Sequence, residues 1–326
     1  MGKIVVTGAA GHIGGNLVRA LIARGTPPRV MVHEDRRALE GLGLEEVHGD
    51  VTDLPSLKAA FEGAERVYHL AARISIAPGD EELVEATNVE GVGNVVEACL
   101  QCKVKRLVHV SSIHALSSDP IEAPIDETRP LCSGDGLLPY DRSKAGGERK
   151  VRAGIERGLD AVIVNPTGVV GPFDYRPSRM GEVLLSLYHR TLPGLVDGAF
   201  NWVDVRDVVD GILLAGERGK CGDRFLLSGH RASVPELAAL VEEVTGKKKP
   251  RMVSPMWLAR GAAPFATLYA RVAGQRPLFT SQSLQALRNH RDVRHDKATR
   301  ELGYQPRPLR ATVEDTFAWF REANAL

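Results

Sequence analysis

Lys3-Ile-Val-Val-Thr7-Gly-Ala-Ala-Gly11-His-Ile-Gly14, near the start of the chain, is its most informative segment. Lys3 to Thr7 is a short apolar run rich in β-branched residues, which predicts a buried strand. The glycine-spaced turn that follows passes directly into Gly15-Asn-Leu-Val-Arg-Ala-Leu21, where apolar residues recur at helical spacing. A strand, a glycine-rich turn and a helix in this order are typical of a dinucleotide-binding βαβ unit.

The three glycines of the turn have separate physical roles. Gly8 lets the chain turn sharply, Gly11 lets backbone amides approach a pyrophosphate, and Gly14 lets the helix pack closely on the strand. The N-terminus of the helix then directs its dipole at the phosphates. His12 and Ile13 lie in the same turn and are predicted to contact the cofactor with the glycines.

Composition and charge restrict the class of protein. The 326 residues include 42 Lys and Arg against 41 Asp and Glu, so a net charge of +1 gives no field for nucleic acid or an anionic membrane. No apolar stretch is long enough to span a bilayer, and the chain enters a strand without a signal-like segment. Its four cysteines include Cys99 and Cys102 on a predicted helix without a second pair, so no metal site is expected. We expect a cytoplasmic protein that acts on a small molecule, with no nucleic acid partner and no membrane insertion.

The end of the second predicted strand, Pro28 to Val32, bears on the choice of cofactor. An acidic residue there would bind the ribose hydroxyls of NAD, whereas an arginine would meet the 2′-phosphate of NADP. The chain has His33 at this point, with Arg36 and Arg37 close behind. This pattern favours NADP(H) and leaves NAD(H) open, because the arginines could equally begin a solvent-exposed helix.

Two further strand ends are predicted to contact the cofactor. Leu44 to His48 forms the third strand, after which the Asp50 carboxylate could reach the adenine amino group or cap the next helix. Arg66 to Leu70 forms the fourth strand, and the small residues behind it leave room for a cofactor. The residues predicted here to line the cofactor are Asp50, Val51, Leu70, Ala71 and Ala72.

The predicted chemical centre combines a strand end with a helix. Lys105 to Val110 forms the fifth strand and leads into Ser112, while Tyr140 and Lys144 lie four residues apart on a later helix. Residues at that spacing share a helix face, so the ammonium can lie beneath the phenol. Ser112 would then hydrogen-bond the substrate oxygen and Tyr140 would exchange the proton, while a hydride passes to or from the nicotinamide.

The electrostatics of a Tyr-Lys pair support this chemistry. A tyrosine pKa of about 10 must fall by roughly three units to titrate near neutral pH, which is about 4 kcal/mol. An ammonium about 4 Å away, at an effective dielectric near 20, supplies an interaction of that size. We therefore expect Lys144 to lower the pKa of Tyr140.

At this point the sequence resembles the extended short-chain dehydrogenase/reductases of the NAD-dependent epimerase/dehydratase superfamily. The resemblance rests on Thr7 to Gly14, Gly49-Asp50, Leu70 to Ala72, Asn88, Ser111-Ser112, Tyr140 to Lys144 and Asn165 to Pro172, with softer similarity from Trp202 to Val208. It implies a doubly wound parallel α/β Rossmann sheet with a smaller C-terminal substrate lobe, and a Ser-Tyr-Lys triad at Ser112, Tyr140 and Lys144. It further implies that Lys144 holds the nicotinamide ribose, that Asn88 kinks or hydrates its helix near the lysine, and that Pro166 and Val169 border the nicotinamide. Asn88 could equally be an ordinary polar helix residue.

Differences within the family narrow the expected reaction. Sugar-nucleotide dehydratases carry Thr-Asp-Glu where this chain has Ser112, Ile113 and His114, and epimerases usually continue to Val-Tyr-Gly. The Ser-Ser-Ile run looks more like dihydroflavonol reductases and hydroxysteroid dehydrogenases. We therefore expect an NAD(P)-dependent enzyme that reduces a ketone or oxidises a secondary alcohol on a mainly apolar molecule. The alternatives are a sugar-nucleotide epimerase and, outside enzymes, a nucleotide-sensing protein, which would be expected to lose the Tyr-Lys pair.

The second half of the chain is predicted to form the substrate lobe. The expected division is a cofactor-binding core over 1–172 and a substrate lobe over 173–326, interleaved with late core elements at about 201–230. The helices Asp80 to Gln101 and Tyr140 to Arg157 would form a homodimer, as the family implies, and Met256 to Ala273 is expected to be an amphipathic helix over the cleft. The candidate substrate contacts are Arg73, His114, Phe173, Tyr175, Arg176 and Arg179.

Overall fold

The computed structural model describes residues 2–74, 79–134, 137–192, 194–259, 261 and 292–326. Most of the helix predicted from Met256 to Ala273 lies outside these residues. Within the described ranges, none of the helices has the length and apolar character that crossing a bilayer requires.

A parallel sheet of seven strands forms the centre of the molecule, as predicted. Its spatial order is β10-β6-β5-β4-β1-β2-β3, and every neighbouring pair runs parallel. The strands are β1 (Lys3–Thr7), β2 (Arg29–Val32), β3 (Glu45–His48), β4 (Ala64–His69), β5 (Arg106–Val110), β6 (Ala161–Pro166) and β10 (Arg224–Leu227). Chain order reverses between β1 and β4, which is the point where open α/β sheets bind ligands.

Helices cover both faces of this sheet. The helices of the described residues are, in chain order, α1 (His12–Ala23), α2 (Leu54–Phe61), α3 (Glu81–Glu85), α4 (Gly91–Gln101), α5 (Pro139–Glu156), α6 (Arg179–Tyr188), α7 (Val205–Arg218), α8 (Val234–Thr245), α9 (Asp296–Leu302) and α10 (Leu309–Glu322). Val6 packs with the residues of α1 and α7, and its neighbour Val5 packs with those of α2, α4 and α5. Alternate strand residues therefore supply two cores, one on each face.

The helix predicted from Asp80 to Gln101 consists of three segments. A π-helical turn, Ala86–Glu90, separates α3 from α4. Short 3₁₀ helices also occur at Arg37–Leu39 and Ile113–Ala115. The π turn contains Asn88, so the kink that the family resemblance implied lies where it was expected.

A second layer of structure packs on α6, α8 and α10. It contains a three-stranded sheet of β7 (Gly168–Val170), β9 (Ala199–Asp204) and β11 (His230–Ser233), and the short pair β8 (Leu195–Val196) and β12 (Val253–Ser254). Its core is aromatic, with Phe200, Trp202 and Phe317 buried together. Ser233, which the sequence predicts as a helix cap, is the N-cap of α8 and forms a capping box with Glu236.

Candidate active site

The glycine turn after β1 has the geometry that only glycine allows. Gly8 has φ +68°, and a Cβ there would lie 2.5 Å from the backbone nitrogen of Ala71. At Gly14 a Cβ would lie 2.1 Å from the Gly8 carbonyl oxygen. These two glycines therefore allow the strand, the turn and the helix to pack against each other.

Gly11 has a different surrounding, and it tests whether a dinucleotide fits. A Cβ at Gly11 would meet only the Gly8 oxygen, at 3.4 Å, so the space in front of this residue is open to the outside of the protein. Gly11 is the N-cap of α1, and the first turn of that helix has neither a side-chain cap nor an acidic residue. An anionic pyrophosphate fits such a helix start, held by the amides of the glycine turn. The His12 ring points elsewhere, since its Nε2 lies 3.1 Å from the carbonyl oxygen of Pro172.

A small cavity adjoins this turn. Ala10, Gly11, His12, Asp35, Tyr175 and Arg176 line it, and its volume is about 230 Å³. Arg176, a predicted substrate residue, therefore lies beside the glycine turn. Phe173 packs under the Arg19 guanidinium, 4.7 Å from the ring centroid, and against Trp319. Its contacts are those of a residue that anchors the loop.

The residues after β2 are paired with carboxylates. Arg37 binds Asp35 at 2.6 and 3.0 Å, and hydrogen bonding to Arg37 lowers the pKa of the Asp35 carboxyl. Arg36 pairs with Glu46. A cofactor phosphate that bound either arginine would therefore compete with a carboxylate already in place.

His33 and Asp50 meet at the same end of the sheet, with 3.3 Å between Nε2 and the carboxylate. The Asp50 side chain accepts hydrogen bonds from the amide and hydroxyl of Thr52. The alternative role proposed for Asp50, capping the next helix, is wrong, because Asp53 is the N-cap of α2. Asp50 stays available as a cofactor contact that is oriented by Thr52 and His33.

Asn88 joins three parts of the site. Its amide oxygen accepts from the backbone nitrogen of Arg73 at 2.8 Å, and its nitrogen donates to the Arg73 carbonyl at 2.9 Å and to the Ser143 hydroxyl at 3.0 Å. The loop after β4 is thereby tied to α5 next to Lys144. Asn88 acts on the site by positioning, because both of its amide hydrogens are used within the protein. The Arg73 side chain extends toward Asp80, 3.9 Å away.

The three residues of the predicted triad come together at the carboxyl end of β5. Ser112 follows that strand, is buried, and caps a 3₁₀ helix by accepting a hydrogen bond from the amide of His114 at 3.3 Å. The Ser112 hydroxyl lies near the Tyr140 phenol and acts to lower its pKa. One turn further along α5, Lys144 is buried and donates to the carbonyl oxygen of Val110 at 3.3 Å.

The expected lowering of the Tyr140 pKa is wrong for this structure. Burial raises the pKa of the Tyr140 phenol to about 12, although the Ser112 hydroxyl opposes the change. The causes of this change do not include the charge of Lys144, and burial lowers the pKa of the Lys144 ammonium itself to about 8. The attraction between a phenolate and an ammonium does not outweigh the cost of removing both charges from water. Tyr140 is thus a protonated acid at neutral pH.

A buried ion pair between Glu148 and Arg224 lies next to the triad, on the side of β6. The Glu148 carboxylate lies 2.6 Å from the Arg224 guanidinium, and both residues are buried. Glu148 also accepts from the amide of Asn165 at 2.6 Å, and the same amide donates to the Ser112 carbonyl at 2.8 Å. The Glu148 charge raises the pKa of Lys144, against the effect of burial. The Glu148–Arg224 pair was not predicted from the sequence, although Glu148 stands four residues after Lys144.

Two histidines lie in the core beside this region. His69 and His109 are cross-strand neighbours on β4 and β5, and their stacked rings are 5.4 Å apart. Burial lowers the pKa of His69 to about 3, and the charge of Lys144 lowers it further. Its Nδ1 shares a 2.7 Å hydrogen bond with the Thr7 hydroxyl. Both rings are therefore neutral, so they add no positive charge next to Lys144.

His114 stands directly beside Tyr140. Its Nδ1 lies 2.9 Å from the Asp141 carboxylate, and its ring meets the Tyr140 ring edge-on with 5.5 Å between centroids. The predicted contact of His114 with the substrate is consistent with this position. Asp141 went unnoticed in the sequence because 27 residues separate it from His114.

The other predicted residues lie on the same elements. Val51 and Ala71 pack in the core on the α2 side of the sheet, whereas Ile13, Leu70 and Val169 pack on the α1 side. The sequence predicts the sixth strand from Leu159 to Val164, whereas β6 ends at Pro166, two residues later. Arg179 begins α6. Ala72 lies in the loop after β4.

Comparison with known proteins places this geometry in context. The profile of the NAD dependent epimerase/dehydratase family matches residues 4–227. Sterol demethylase protein B of Methylococcus capsulatus is 38% identical over 326 residues, which cover 99% of each chain. A Stigmatella aurantiaca enzyme, 4-hydroxy-2-methyl-3-oxo-4-farnesyl-3,4-dihydroquinoline-1-oxide ketoreductase, is 30% identical over 94% of this chain and 92% of its own. The crystal structure of gox2253 superposes with a TM-score of 0.86 at 34% identity, covering 98% of each chain.

Proposed function

This chain belongs to the NAD dependent epimerase/dehydratase family, and on that premise we propose that it is an NAD(P)-dependent oxidoreductase with a Ser112-Tyr140-Lys144 triad. Its reaction is the reduction of a ketone, or the reverse oxidation of a secondary alcohol, on a mainly apolar molecule. The observation that carries the proposal is the meeting of Ser112 and Tyr140 at the end of β5, one helical turn from a buried Lys144 that donates to the Val110 carbonyl.

Each member of the triad has a distinct task. Tyr140 donates a proton to the ketone oxygen, and its high pKa keeps that proton in place at neutral pH. Ser112 donates a second hydrogen bond to the same oxygen, which stabilises the developing negative charge. Lys144 places a cation beneath the phenol and holds the nicotinamide ribose. The reduced nicotinamide, when bound, supplies the hydride.

The substrate class is proposed from the relatives. Sterol demethylase protein B covers nearly the whole chain, and its name points to a sterol. The farnesylated quinoline of the ketoreductase is also an apolar ring system. We therefore place a polycyclic, sterol-like ketone or alcohol first among substrates.

The cofactor is a nicotinamide dinucleotide, and its NAD or NADP form is part of the proposal. Arg36 and Arg37 near the end of β2 support NADP, which the sequence favoured. Their pairing with Glu46 and Asp35 supports NAD, because a 2′-phosphate would have to displace a carboxylate. The ratio of rates with NADPH and NADH decides between the two.

The test of the function is a pair of measurements on the purified protein. Wild type should oxidise NADH or NADPH in the presence of a saturated sterol ketone such as cholestanone, or of another cyclic ketone. Tyr140→Phe removes only the donated hydroxyl, so it should bind cofactor normally and lose turnover by about 10²-fold or more. A variant with near-wild-type turnover would refute the assignment of Tyr140.

The epimerase alternative gives a different result with the same protein. An epimerase would interconvert UDP-sugars without added cofactor and without net NADH consumption.

Dimerisation through the helices Asp80 to Gln101 and Tyr140 to Arg157 stays a prediction, which sedimentation velocity tests. A cytoplasmic location likewise stays a prediction.

A further inference from the structure

An exposed surface of the second layer combines apolar and basic side chains, and the proposed reduction does not use it. Seven large apolar side chains of the described residues are exposed, and four of them lie close together in the chain: Met252, Val253, Trp257 and Leu258. The residues just before them include four cations: Lys247, Lys248, Lys249 and Arg251. These eight residues are called the basic-apolar patch below.

The cations of the patch begin where α8 ends. Gly246 follows the last helical residue with φ +72° and reverses the chain. Lys247 Nζ then lies 5.0 Å from the centroid of the Tyr188 ring, at the end of α6. The other three cations are exposed, and they form no ion pair in the part of the chain that the structure describes. Their charge is therefore available to an external anion.

The apolar side chains of the patch are held in place by backbone hydrogen bonds. β12 pairs with β8, and the amide of Leu195 donates to the Met252 carbonyl at 2.9 Å. Just after this strand, the amide of Leu258 donates to the Pro255 carbonyl at 3.1 Å and closes the turn that carries Trp257. The Trp257 side chain is 73% exposed. Keeping so large an apolar side chain in water is unfavourable, and a bound partner removes that cost.

The charge of this region differs from that of the whole chain. Between Val244 and Ala259 the sequence has the four cations and no acidic residue, although the 326 residues together carry only +1. One exposed acid, Asp197, adjoins the end of β12 through the hydrogen bond from its amide to Ser254, and it offsets one of the four charges. The net charge that predicted no attraction to an anionic membrane thus averages over a surface with a local basic cluster.

The composition of the patch favours a lipid surface over a protein partner. Protein interfaces are depleted in lysine, whereas three of the four cations here are lysines. Anionic headgroups attract clustered Lys and Arg, and tryptophan is enriched at the level where headgroups meet acyl chains. The aliphatic side chains beside Trp257 supply the apolar area that such a contact buries.

We propose that the basic-apolar patch docks the protein on membranes that contain anionic phospholipids. The cations bind headgroup phosphates, while Trp257 and Leu258 enter the boundary between headgroups and acyl chains. The contact is peripheral, so no segment has to cross the bilayer. This inference stands on the surface alone, because neither the triad nor the cofactor takes part in it.

Vesicle binding tests the proposal. The whole chain is mixed with vesicles of equal parts phosphatidylglycerol and phosphatidylcholine, or of phosphatidylcholine alone, and the bound fraction is measured by co-sedimentation. Wild type should bind the anionic vesicles about 10²-fold more tightly, and high salt should remove most of this difference. Lys248→Gln/Lys249→Gln/Arg251→Gln should weaken binding to anionic vesicles about 10²-fold. Trp257→Ser should weaken it about tenfold.

Tryptophan fluorescence reports the same contact. The other two tryptophans, Trp202 and Trp319, are buried, so a blue shift on addition of anionic vesicles comes from Trp257 entering apolar surroundings. Trp257→Phe should keep vesicle binding within a few-fold of wild type, because it keeps an apolar ring, and it should lose the blue shift.

Two control variants carry equivalent changes elsewhere on the surface. Lys58→Gln/Lys103→Gln/Lys105→Gln removes three exposed charges, and Leu83→Ser removes an exposed leucine on α3. Both should bind vesicles as wild type does.

Three results would overturn the inference. They are absence of binding to anionic vesicles, binding that survives either the triple replacement in the patch or Trp257→Ser, and self-association without vesicle binding that Trp257→Ser abolishes. The last result, measured by sedimentation velocity, would assign the patch to a second copy of the chain. None of them bears on the proposed reductase, because the assay contains no substrate and no cofactor.

Discussion

Replacing Glu148 by Gln should move the alkaline limit of ketone reduction to lower pH. Burial lowers the pKa of Lys144 to about 8, and the Glu148 charge is what keeps it from falling further. The ammonium is needed beneath Tyr140, so the reduction rate should fall as pH rises through the pKa of Lys144. Without the Glu148 charge that pKa decreases, and the fall in rate begins at lower pH.

The size of the effect follows from the spacing of the two charges. Residues four apart on a helix have their Cβ atoms about 6 Å apart, and a unit pair at that distance and an effective dielectric near 20 interacts by roughly 3 kcal/mol. At about 1.4 kcal/mol per pH unit this is roughly two units. Arg224 already neutralises part of the Glu148 charge, so we expect a shift of about one to two units.

Stability should change as well. Glu148→Gln leaves the buried Arg224 guanidinium without its carboxylate partner, and breaking a buried pair costs about 3 to 5 kcal/mol. Urea unfolding measures this loss. The double variant Glu148→Gln/Arg224→Met removes both charges and should recover most of it, because a buried pair replaced by apolar volume is often neutral.

The assay is kcat/KM for ketone reduction as a function of pH. Glu90→Gln is the matched control, since Glu90 is an exposed acid that pairs with Lys150 on α5, and both its profile and its stability should match wild type. A Glu148→Gln protein that folds and keeps the wild-type alkaline limit would refute the role assigned to this charge.

Two further predictions concern the cofactor. Asp35→Asn removes the carboxylate that holds Arg37. The value of kcat/KM with NADPH should therefore rise relative to that with NADH by about tenfold, the equivalent of one charge-assisted contact. An unchanged ratio would show that Arg37 does not meet the cofactor. Gly11→Ala should keep the melting temperature but weaken NADH binding, measured by fluorescence, because the added methyl group occupies the open space in front of the turn. Gly14→Ala should lower the melting temperature, because its Cβ would lie 2.1 Å from the Gly8 oxygen. Equal effects of the two substitutions on stability would contradict this division.

The sequence predicted the sheet well for a physical reason. The inner strands β1, β5 and β6 are largely buried, so they are mostly apolar runs such as Lys3 to Thr7, and each is followed by a turn or an amphipathic helix. Boundaries were less accurate where a polar or cyclic residue continues a strand, as at the end of β6, which extends through Asn165 and Pro166. The π turn around Asn88 could not be located by periodicity, because the segment Ala86–Glu90 is too short to show a period of its own.

At the site, local motifs were visible and long-range pairs were not. The glycine turn and the Tyr140-Lys144 spacing are short-range patterns that could be read directly. The partners of His114, Asn88 and Arg36 depend on which segments meet at the sheet edge. The three-dimensional structure is needed to show that Arg36 is paired with Glu46 and that Asn88 holds the loop after β4.

The pKa of Tyr140 was expected to be low and is high, for a physical reason. A pair estimate counts the attraction between phenolate and ammonium, but it omits the desolvation of each charge, which here raises the pKa of Tyr140 to about 12 and lowers that of Lys144 to about 8. Below about pH 8 both groups are protonated, which is the state that donates a proton to a ketone oxygen. Oxidation of an alcohol needs the phenolate, whose formation the burial of Tyr140 opposes. A neighbouring cation therefore has to outweigh the loss of water around the phenol before Tyr140 can act as a base.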